Sequence, residues 1–273
     1  MVADSVTGSD RPTDDGVGGG GRSENGEWLL RIPPKELAEE SAQDVPVTVI
    51  LPTYNEAENV EQAIERCRTA LSAHTAEILV VDDDSPDRTW QLVRTAYLNA
   101  EDVRVVRRTG ERGLASAVSK GFEEASHEVC AVMDADLQHP PEKLPDLLAA
   151  FDEGVDLVIG SRYLPGGGIE NWSLERRVVS RGASAVAKAV LPQTRDIADP
   201  LSGFFAVRQR VVHNVELAPT GYKILLEVLA RCEYDGVAEV PYVFTEREHG
   251  ESKLTGEEYR NFLEHLLSLR FAQ

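Results

Sequence analysis

The stretch VTVILPTYNE, residues 47–56, decides how the rest of the chain is interpreted. Its first half is largely apolar and β-branched and stops at Pro52, which is typical of a buried strand. Asn55 then offers a helix cap, and apolar residues follow at helical spacing over residues 60–71. A buried strand followed at once by an amphipathic helix is the first unit of an α/β fold.

The same alternation recurs along the chain. Further strands are predicted at residues 78–81, 103–106, 129–133 and 156–160, with helices near residues 87–98, 114–126 and 142–153. Strands that alternate with helices predict a mainly parallel sheet covered by helices on both faces. Beyond this region the order loosens. Helices are predicted near residues 174–191, 208–217 and 222–234, a strand at 237–244 and a last amphipathic helix at 257–271.

The composition changes sharply at residue 45. Residues 1–44 hold ten acidic and four basic residues and a run of four glycines at 18–21. Such a segment buries too little apolar surface to offset the entropy of ordering, so we predict a disordered, acidic, glycine-rich tail. An apolar patch at residues 28–32 is a candidate for docking on the main domain. Residues 45–273 are predicted to form one folded domain.

The charge balance limits the partners. The chain has 28 basic and 47 acidic residues, a net charge of -19, which argues against nucleic-acid binding. Only six of the basic residues are lysine, and an acidic, lysine-poor surface suggests a high-salt cytoplasm. The cysteines lack metal or disulfide spacing, and neither a signal peptide nor an apolar run of about 18 residues is present. We therefore expect a cytoplasmic protein with buried free thiols.

Polar clusters follow three of the predicted strands, at residues 52–56, 82–87 and 134–138. In open α/β sheets, ligands bind just outside the carboxyl ends of the strands. Carboxylates gathered on one such rim repel each other unless a cation is present. The pattern therefore predicts a metal site at this rim.

The third cluster is the best candidate for the metal ligands. In an extended segment Asp134, Asp136 and Gln138 would point the same way. Hard oxygen donors suit Mg²⁺ or Mn²⁺, with a substrate diphosphate completing the shell. The alternative is a solvated acidic loop. His139 is expected to shape this loop rather than to ligate the ion. Neither GxGxxG after the first strand nor GxxxxGK[ST] occurs, which excludes the common dinucleotide and P-loop sites.

Three motifs resemble family 2 glycosyltransferases with the GT-A fold, a Rossmann-like α/β fold. They are LPTYNE at residues 51–56, VDDDSPD at 81–87 and MDADLQHPP at 133–141. Later segments are similar to the polyprenyl-phosphate branch of that family, and within it to the dolichyl-phosphate mannose synthases: GSRY at 160–163, SRGA at 180–183, DPLSGF at 199–204 and GESKL at 250–254. The resemblance covers residues 46–271.

The resemblance implies transfer of mannose from GDP-mannose to dolichyl or another polyprenyl phosphate with inversion, giving a dolichyl β-D-mannosyl phosphate for glycosylation. The alternative within the same branch is transfer of glucose from UDP-glucose. A nucleotide-sugar pyrophosphorylase would need a glycine-rich loop after the first strand, which is absent. A non-catalytic lipid-phosphate binder is disfavoured because the acidic and basic residues of the family motifs are intact.

Carried over by position, the resemblance implies roles for individual residues. The nucleotide-sugar site would include Pro52, Tyr54, Glu56, Val81, Asp83, Asp134, Ala135, Asp136, Arg162, Arg247 and Lys253. Of these, Asp134, Asp136, Arg162, Arg247 and Lys253 would carry the catalysis, with Asp134, Asp136 and Gln138 as metal ligands. Arg247 and Lys253 belong to an expected mobile loop, and Arg176 and Ser180 would take the acceptor phosphate. Asp84 departs from the family, which usually has glycine there.

A lipid acceptor requires contact with a membrane surface. The helix near residues 174–191 places cations beside valines, which suits anionic headgroups, although its apolar side could instead pack on the core. The last helix has the same ambiguity. We expect peripheral association with the cytoplasmic face of the membrane. Relatives without appended membrane helices rely on a membrane-protein partner, so a chain ending at Gln273 either has such a partner or is a shortened form.

Overall fold

The computed structural model describes residues 21–22, 28–31, 45–217, 223–245 and 256–271. Within these residues, the strands are β1 (Gly21–Arg22), β2 (Trp28–Arg31), β3 (Val47–Thr53), β4 (Ala76–Asp82), β5 (Val103–Arg107), β6 (Val129–Val132), β7 (Leu157–Ser161), β8 (Gly168–Ile169), β9 (Phe205–Arg208), β10 (Gly236–Pro241) and β11 (Val243–Phe244). The helices are α1 (Val60–Ala70), α2 (Thr89–Ala96), α3 (Leu114–Glu124), α4 (Leu144–Ala149), α5 (Leu174–Val190), α6 (Gln209–Val212), α7 (Ile224–Arg231) and α8 (Gly256–Phe271).

Nine of the described strands form one sheet in the order β1-β2-β10-β7-β9-β6-β3-β4-β5. Strand β3 pairs in parallel with both β4 and β6. The predicted parallel sheet is therefore confirmed for its central part. The two remaining strands, β8 and β11, pair with each other in parallel outside the main sheet.

Helices cover both faces of the sheet, and the pattern of β3 shows why. Val49 and Leu51 pack into an apolar cluster with α1 and α4, whereas Ile50 packs into a second cluster with α3 and α7. Because successive strand side chains point to opposite faces, a strand buried on both faces is apolar along most of its length. The largely apolar run in the sequence is the signal of this burial, and the polar Thr48 within it is buried with a hydrogen bond to Glu77.

Strand β9 is the main difference from the sequence prediction, which has no strand there. It lies between β6 and β7 and runs antiparallel to both. The helix predicted near residues 208–217 is reduced to α6, which begins directly after β9. A short apolar run has no periodicity that separates a strand from a buried helix, so the strand depends on the two partners that flank it.

Helix α1 begins later than the sequence predicts. Asn55 does not cap it; this residue adopts φ 60 and its backbone amide donates to Ser85 Oγ at 3.0 Å. The residue before the helix is Asn59, whose side-chain amide donates to Glu56 Oε2 at 2.7 Å. Asn55 therefore links the loops that follow β3 and β4. The polar motif thus shapes the rim of the sheet before the helix starts.

Two short strands lie inside the segment predicted as a tail. Strand β2 pairs in parallel with β10 and so joins the end of the sheet opposite β5. The apolar patch at residues 28–31 is the part of the tail that makes this pairing. The other residues of 1–44 lie outside the described part of the chain, so disorder there stays a prediction.

The cysteines bear out the expectation of buried free thiols. Cys67, Cys130 and Cys232 are free and buried, and burial raises the pKa of each thiol to about 12. Thiols held in this protonated form are poor nucleophiles. Within the described ranges, no helix combines the length and apolarity needed to cross a bilayer.

Candidate active site

The ends of β3 and β4 meet at one edge of the sheet, where the sequence places the nucleotide pocket. Pro52 pairs directly with Val81 across the two strands. Tyr54 follows β3, and the guanidinium of Arg112 lies 5.0 Å from its ring centroid. Pro52, Tyr54 and Val81 therefore lie at the carboxyl ends of adjacent parallel strands, which is where such sheets bind ligands.

Asp83 is held by groups that the sequence interpretation missed. Its carboxylate accepts from Arg108 Nε and from the backbone amide of Gly113, both at 2.7 Å. Asp83 and Arg108 are both buried, and Arg108 Nη1 has no hydrogen-bond partner among the described residues. Arg108 follows β5 directly, and this position after a strand is the one signal that could have revealed it.

The other carboxylates of residues 82–87 are also matched by protein donors. Asp82 is buried and accepts from Thr53 Oγ1 at 2.9 Å and from Ser85 Oγ at 2.6 Å. Asp87 accepts from the backbone amide of Thr89 at 3.0 Å, at the start of α2. Hydroxyls, backbone amides and arginines therefore hold the carboxylates of residues 82–87 in place, whereas the predicted metal ligands lie at residues 134–138.

Asp84, where the family resemblance led us to expect glycine, adopts φ 53. This is the left-handed region, which glycine enters freely and aspartate tolerates better than most residues. Its carboxylate pairs with Arg107 Nε at 2.7 Å. Asp84 therefore occupies a backbone conformation that glycine would also adopt.

The segment of residues 134–138 forms a turn directly after β6. Leu137 adopts φ 63, which breaks the extended alternation assumed from the sequence. Asp136 is almost fully buried, and its Oδ1 accepts from the backbone amide of Gln138 at 3.1 Å. The side-chain amide of Gln138 donates to Thr245 O at 3.3 Å, which leaves its oxygen as the atom for a cation. A turn, rather than an extended strand, therefore carries these oxygens.

The donor set of this turn fits a hard divalent cation only together with a ligand. In the described residues, no group of three or more histidine, cysteine, aspartate or glutamate side chains is placed to hold a metal. The predicted set instead has the carboxylates of Asp134 and Asp136 and the amide of Gln138. Oxygen donors of this kind suit Mg²⁺ or Mn²⁺ when a substrate supplies further oxygens.

His139 shapes the turn, as the sequence predicts. Its Nδ1 accepts from the backbone amide of Asp134 at 3.1 Å, and its ring stacks on Phe204 with 5.5 Å between centroids. Burial lowers the pKa of His139 to about 4, so the ring is neutral at pH 7. The 3.8 Å approach of its Nδ1 to Asp134 Oδ2 is therefore not an ion pair. A Cβ at Gly203 would lie 3.2 Å from His139 Cε1, so glycine allows the 199–204 segment to approach.

Arg162 directly follows β7 and forms an ion pair with Asp199. Asp199 is a second site residue that was not predicted from the sequence. Nε and Nη2 of Arg162 donate to the two oxygens of Asp199 at 2.7 and 2.8 Å. Burial opposes the charge, but Asp199 outweighs it and the pKa of Arg162 stays above its ordinary value. The ring centroid of Phe244 lies 5.7 Å from Arg162 Cζ and 5.4 Å from the ring centroid of His139. Arg162 therefore lies beside the turn of residues 134–138.

The predicted acceptor residues lie on α5. Ser180 Oγ is 2.8 Å from the hydroxyl of Tyr163, the residue after Arg162. Arg176 is exposed, with its guanidinium 4.6 Å from the ring centroid of Trp172. Arg247 and Lys253 lie outside the described residues. Thr245, the last described residue before them, donates its backbone amide to Gln138 O at 3.2 Å.

The glycine-rich loop of residues 165–168 packs against the end of β7. A Cβ at Gly167 would lie 2.6 Å from Ser161 O and 3.1 Å from Arg162 O, whereas one at Gly168 meets nothing closer than 4.0 Å. Backbone atoms cannot yield as a flexible side chain can, so we expect Gly167→Ala to destabilise the protein by about 1–3 kcal/mol. Urea unfolding of Gly167→Ala and Gly168→Ala measures the difference, and equal midpoints would contradict the packing described here.

Comparison with known proteins identifies the family. The model of "Glycosyl transferase family 2" matches residues 48–215. A Pyrococcus furiosus protein named dolichol-phosphate mannosyltransferase is 52% identical over 82% of this chain, which spans 63% of that relative's length. A Saccharomyces cerevisiae protein of the same name is 37% identical, over 81% of this chain and 86% of the relative.

Solved structures confirm the fold. Glucosyl-3-phosphoglycerate synthase from Mycobacterium tuberculosis, in complex with Mn²⁺, UDP-glucose and phosphoglyceric acid, superposes with a TM-score of 0.63 at 22% identity. The match covers 83% of this chain and 80% of that one. The family model, the identity to the relatives and the structural likeness lead to one conclusion. The chain belongs to glycosyltransferase family 2 and has its GT-A-like α/β fold.

Proposed function

We propose that this glycosyltransferase moves mannose from GDP-mannose to dolichyl or another polyprenyl phosphate with inversion of the anomeric carbon. The observation that carries the proposal is the turn of residues 134–138 beside the pocket at the ends of β3 and β4. Relatives named for mannosyl transfer to dolichol phosphate cover most of the chain and support the choice of sugar and acceptor.

A divalent cation is part of this proposal. Asp134, Asp136 and Gln138 would hold Mg²⁺ or Mn²⁺, as their oxygen chemistry allows. A bound cation would neutralise charge that grows on the departing diphosphate. The Mn²⁺ in the complex of glucosyl-3-phosphoglycerate synthase supports a divalent cation in a site of this fold.

The chain's own residues orient the donor. Tyr54 with Arg112, and Asp83 with Arg108, form the walls at the ends of β3, β4 and β5. Arg162 supplies positive charge next to the turn of residues 134–138, where the diphosphate would lie. Fixed cations at a developing negative charge stabilise the transition state without reorganising during the reaction. Arg247 and Lys253 are proposed for the same task from the family resemblance.

The acceptor needs little help from a general base. A phosphate monoester has its second pKa near ~6, so its attacking oxygen is already anionic at neutral pH. That oxygen forms a bond to the anomeric carbon while the bond from this carbon to the diphosphate breaks on the opposite face, which converts an α-linked donor into a β-linked product. The main task of Arg176 and Ser180 is therefore to align the phosphate.

The lipid part of the acceptor would be met at the surface formed by α5 and α8. One side of these helices is buried in a shared cluster that includes Ala187 and Leu266. The other side exposes large apolar residues: Leu174, Val178, Val179, Val186, Leu263, Leu267 and Phe271. Cations of α5, Arg177 and Arg181 among them, lie next to these residues. We propose that this surface binds the cytoplasmic face of an anionic membrane peripherally.

Charge reversal tests the membrane surface. We expect Arg177→Glu combined with Arg181→Glu to weaken binding to phosphatidylglycerol vesicles by at least about 30-fold, since each basic residue near an anionic surface contributes ~1 kcal/mol. Vesicle flotation measures the effect. The matched control is Arg88→Glu with Arg94→Glu, which makes the same charge change at exposed positions at and within α2. Equal flotation of the two double variants would reject the surface.

The function itself is tested by transfer of radiolabelled sugar to a short dolichyl phosphate, with and without Mn²⁺. GDP-mannose and UDP-glucose are supplied in parallel, in high salt because the lysine-poor, acidic composition favours a high-salt cytoplasm. Mn²⁺-dependent mannosyl lipid with a β-linked sugar is the expected product. Label from UDP-glucose alone would replace the donor in this proposal, and label from neither would contradict it.

A further inference from the structure

A buried line of charged side chains runs from Arg162 into the sheet. The backbone amide of Arg162 donates to Asp199 Oδ2 at 3.1 Å, in addition to the two bonds from its guanidinium. Asp199 is held in turn by Glu239 on β10, which accepts from the backbone amides of Ala198 at 2.7 Å and of Asp199 at 3.1 Å. Asp199 and Glu239 are completely buried. The position of Arg162 is therefore fixed by residues from two other segments, the one that contains Asp199 and strand β10.

Such an arrangement is a poor way to stabilise a sheet. Replacing a buried ion pair by apolar residues of similar size is often neutral or stabilising, because the free-energy cost of desolvating the two charges offsets their electrostatic attraction. The neighbours of Glu239 on β10, Ala238 and Val240, are apolar and buried. Burial also raises the pKa of Glu239. A glutamate at this position makes physical sense when the geometry that it imposes on Asp199 is itself required.

The ion pair also decides which edge of Arg162 faces the donor. Asp199 accepts hydrogen bonds from Nε and Nη2 of Arg162. The edge of the planar guanidinium that carries Nη1 is therefore the edge that can bind a ligand. Phe244 lies against both Arg162 and His139, and His139 holds the backbone of Asp134. A guanidinium held in one plane presents its donors to phosphate oxygens with less loss of entropy than a free one.

We infer that Asp199 is a positioning residue, which aligns Arg162 on the donor diphosphate, and that Glu239 fixes Asp199 for this purpose. The inference rests on the proposed glycosyl transfer. Because Asp199 partly balances the charge of Arg162, its contribution is to alignment more than to the affinity for the ground-state donor. Alignment of this kind changes kcat more than binding.

The test is a double-mutant cycle at Asp199 and Arg162. We expect Asp199→Asn, which keeps the shape of the side chain, to lower kcat about 10²-fold, as small misplacements at a reacting centre do. The dissociation constant of GDP with Mn²⁺ should change by less than about threefold. In an Arg162→Lys background, Asp199→Asn should lower kcat by no more than about threefold, because lysine lacks the planar guanidinium that Asp199 orients.

Two further variants separate positioning from folding. Glu239→Gln places an amide group against one of the two backbone amides that Glu239 accepts from. We therefore expect a smaller loss in kcat, of about tenfold. Glu239→Gln serves as the test variant if Asp199→Asn does not fold. The control is Asp156→Asn. Asp156 is also buried and paired with an arginine, Arg210, but it lies before the start of β7, at the opposite end from Arg162. Its variant should unfold at lower urea concentration with kcat unchanged.

The outcomes distinguish this inference from the proposed function. The cycle is measured with whichever of GDP-mannose or UDP-glucose the wild-type chain uses, so a change of donor revises the function and leaves the cycle intact. An active wild-type chain with equal losses from Asp199→Asn in both backgrounds would overturn the inference, and so would a wild-type kcat in Asp199→Asn. A wild-type chain that uses neither donor would overturn the function and this inference with it.

Discussion

Asp136→Asn is expected to lower kcat for sugar transfer by at least about 10²–10³-fold, the loss typical for removal of one element that stabilises transition-state charge. Asp136 is almost fully buried, and its Oδ1 accepts from the backbone amide of Gln138. Asparagine keeps this acceptor, so the turn should survive while the charge that attracts a cation is lost. Asp136→Ala removes both and should abolish transfer. Radiolabelled transfer at saturating Mn²⁺ measures kcat, and calorimetry measures Mn²⁺ affinity in the presence of GDP.

The matched control for this prediction is Asp146→Asn. Asp146 lies on α4 and pairs with Lys143 at 2.6 Å, outside the candidate site. Its variant should transfer sugar as the wild type does. Near-normal turnover in Asp136→Asn would reject the assignment of the metal to residues 134–138. Low turnover with unchanged Mn²⁺ affinity would keep Asp136 in the site but contradict its role as a ligand.

Glu77→Gln is expected to lower the free energy of unfolding at pH 7 by about 1.5–3 kcal/mol, the usual contribution of hydrogen bonds to a charged group. Glu77 accepts from Thr48 Oγ1 and Arg104 Nε at 2.8 Å, and from the amide and hydroxyl of Ser126 at 3.2 Å. It thereby joins β3, β4, β5 and the segment before β6. Glutamine would present an amide group to donors that need an acceptor.

The effect should depend on pH with a definite sign. Burial alone would raise the pKa of Glu77, but the bonds from Thr48 and Arg104 outweigh it and leave the pKa below its ordinary value. The stabilisation by this carboxylate is therefore complete above its unfolded pKa of about 4.3 and is lost as the pH falls through the lower folded value. Urea unfolding between pH 7 and pH 3 should show the gap between wild type and Glu77→Gln narrowing at acid pH.

A matched control also exists for this prediction. Glu123 is exposed and pairs with Lys120 on the surface of α3 at 3.1 Å. Glu123→Gln should change the free energy of unfolding by less than about 1 kcal/mol, as surface ion pairs do. A gap between wild type and Glu77→Gln that stays constant down to acid pH would show that packing, rather than the charge of Glu77, accounts for the loss.

The sequence predicted the site best where chemistry and spacing are local. The motif of residues 133–141 identified the turn that bears Asp134 and Asp136, and it identified His139 as the residue that shapes it. The segment is nevertheless not extended as its spacing predicts, because Leu137 adopts a positive φ that residue spacing does not reveal. Asp199 and Glu239 were missed as partners of Arg162, although Asp199 lay within a quoted motif and Glu239 is an acidic residue in an apolar strand.

The amino-acid sequence alone predicts the alternation of strands and helices, the burial of the central strands and the polar rim at their carboxyl ends. These features follow from periodicity and composition within short windows, which is information that a single chain segment carries. The tertiary structure alone decided the antiparallel position of β9, the pairing of Asp83 with Arg108 and that of Arg162 with Asp199. These features depend on contacts between residues that are far apart in the chain. Whether a short apolar run forms a strand, and whether a buried charge is stabilised, is decided by the neighbours that the fold places beside it.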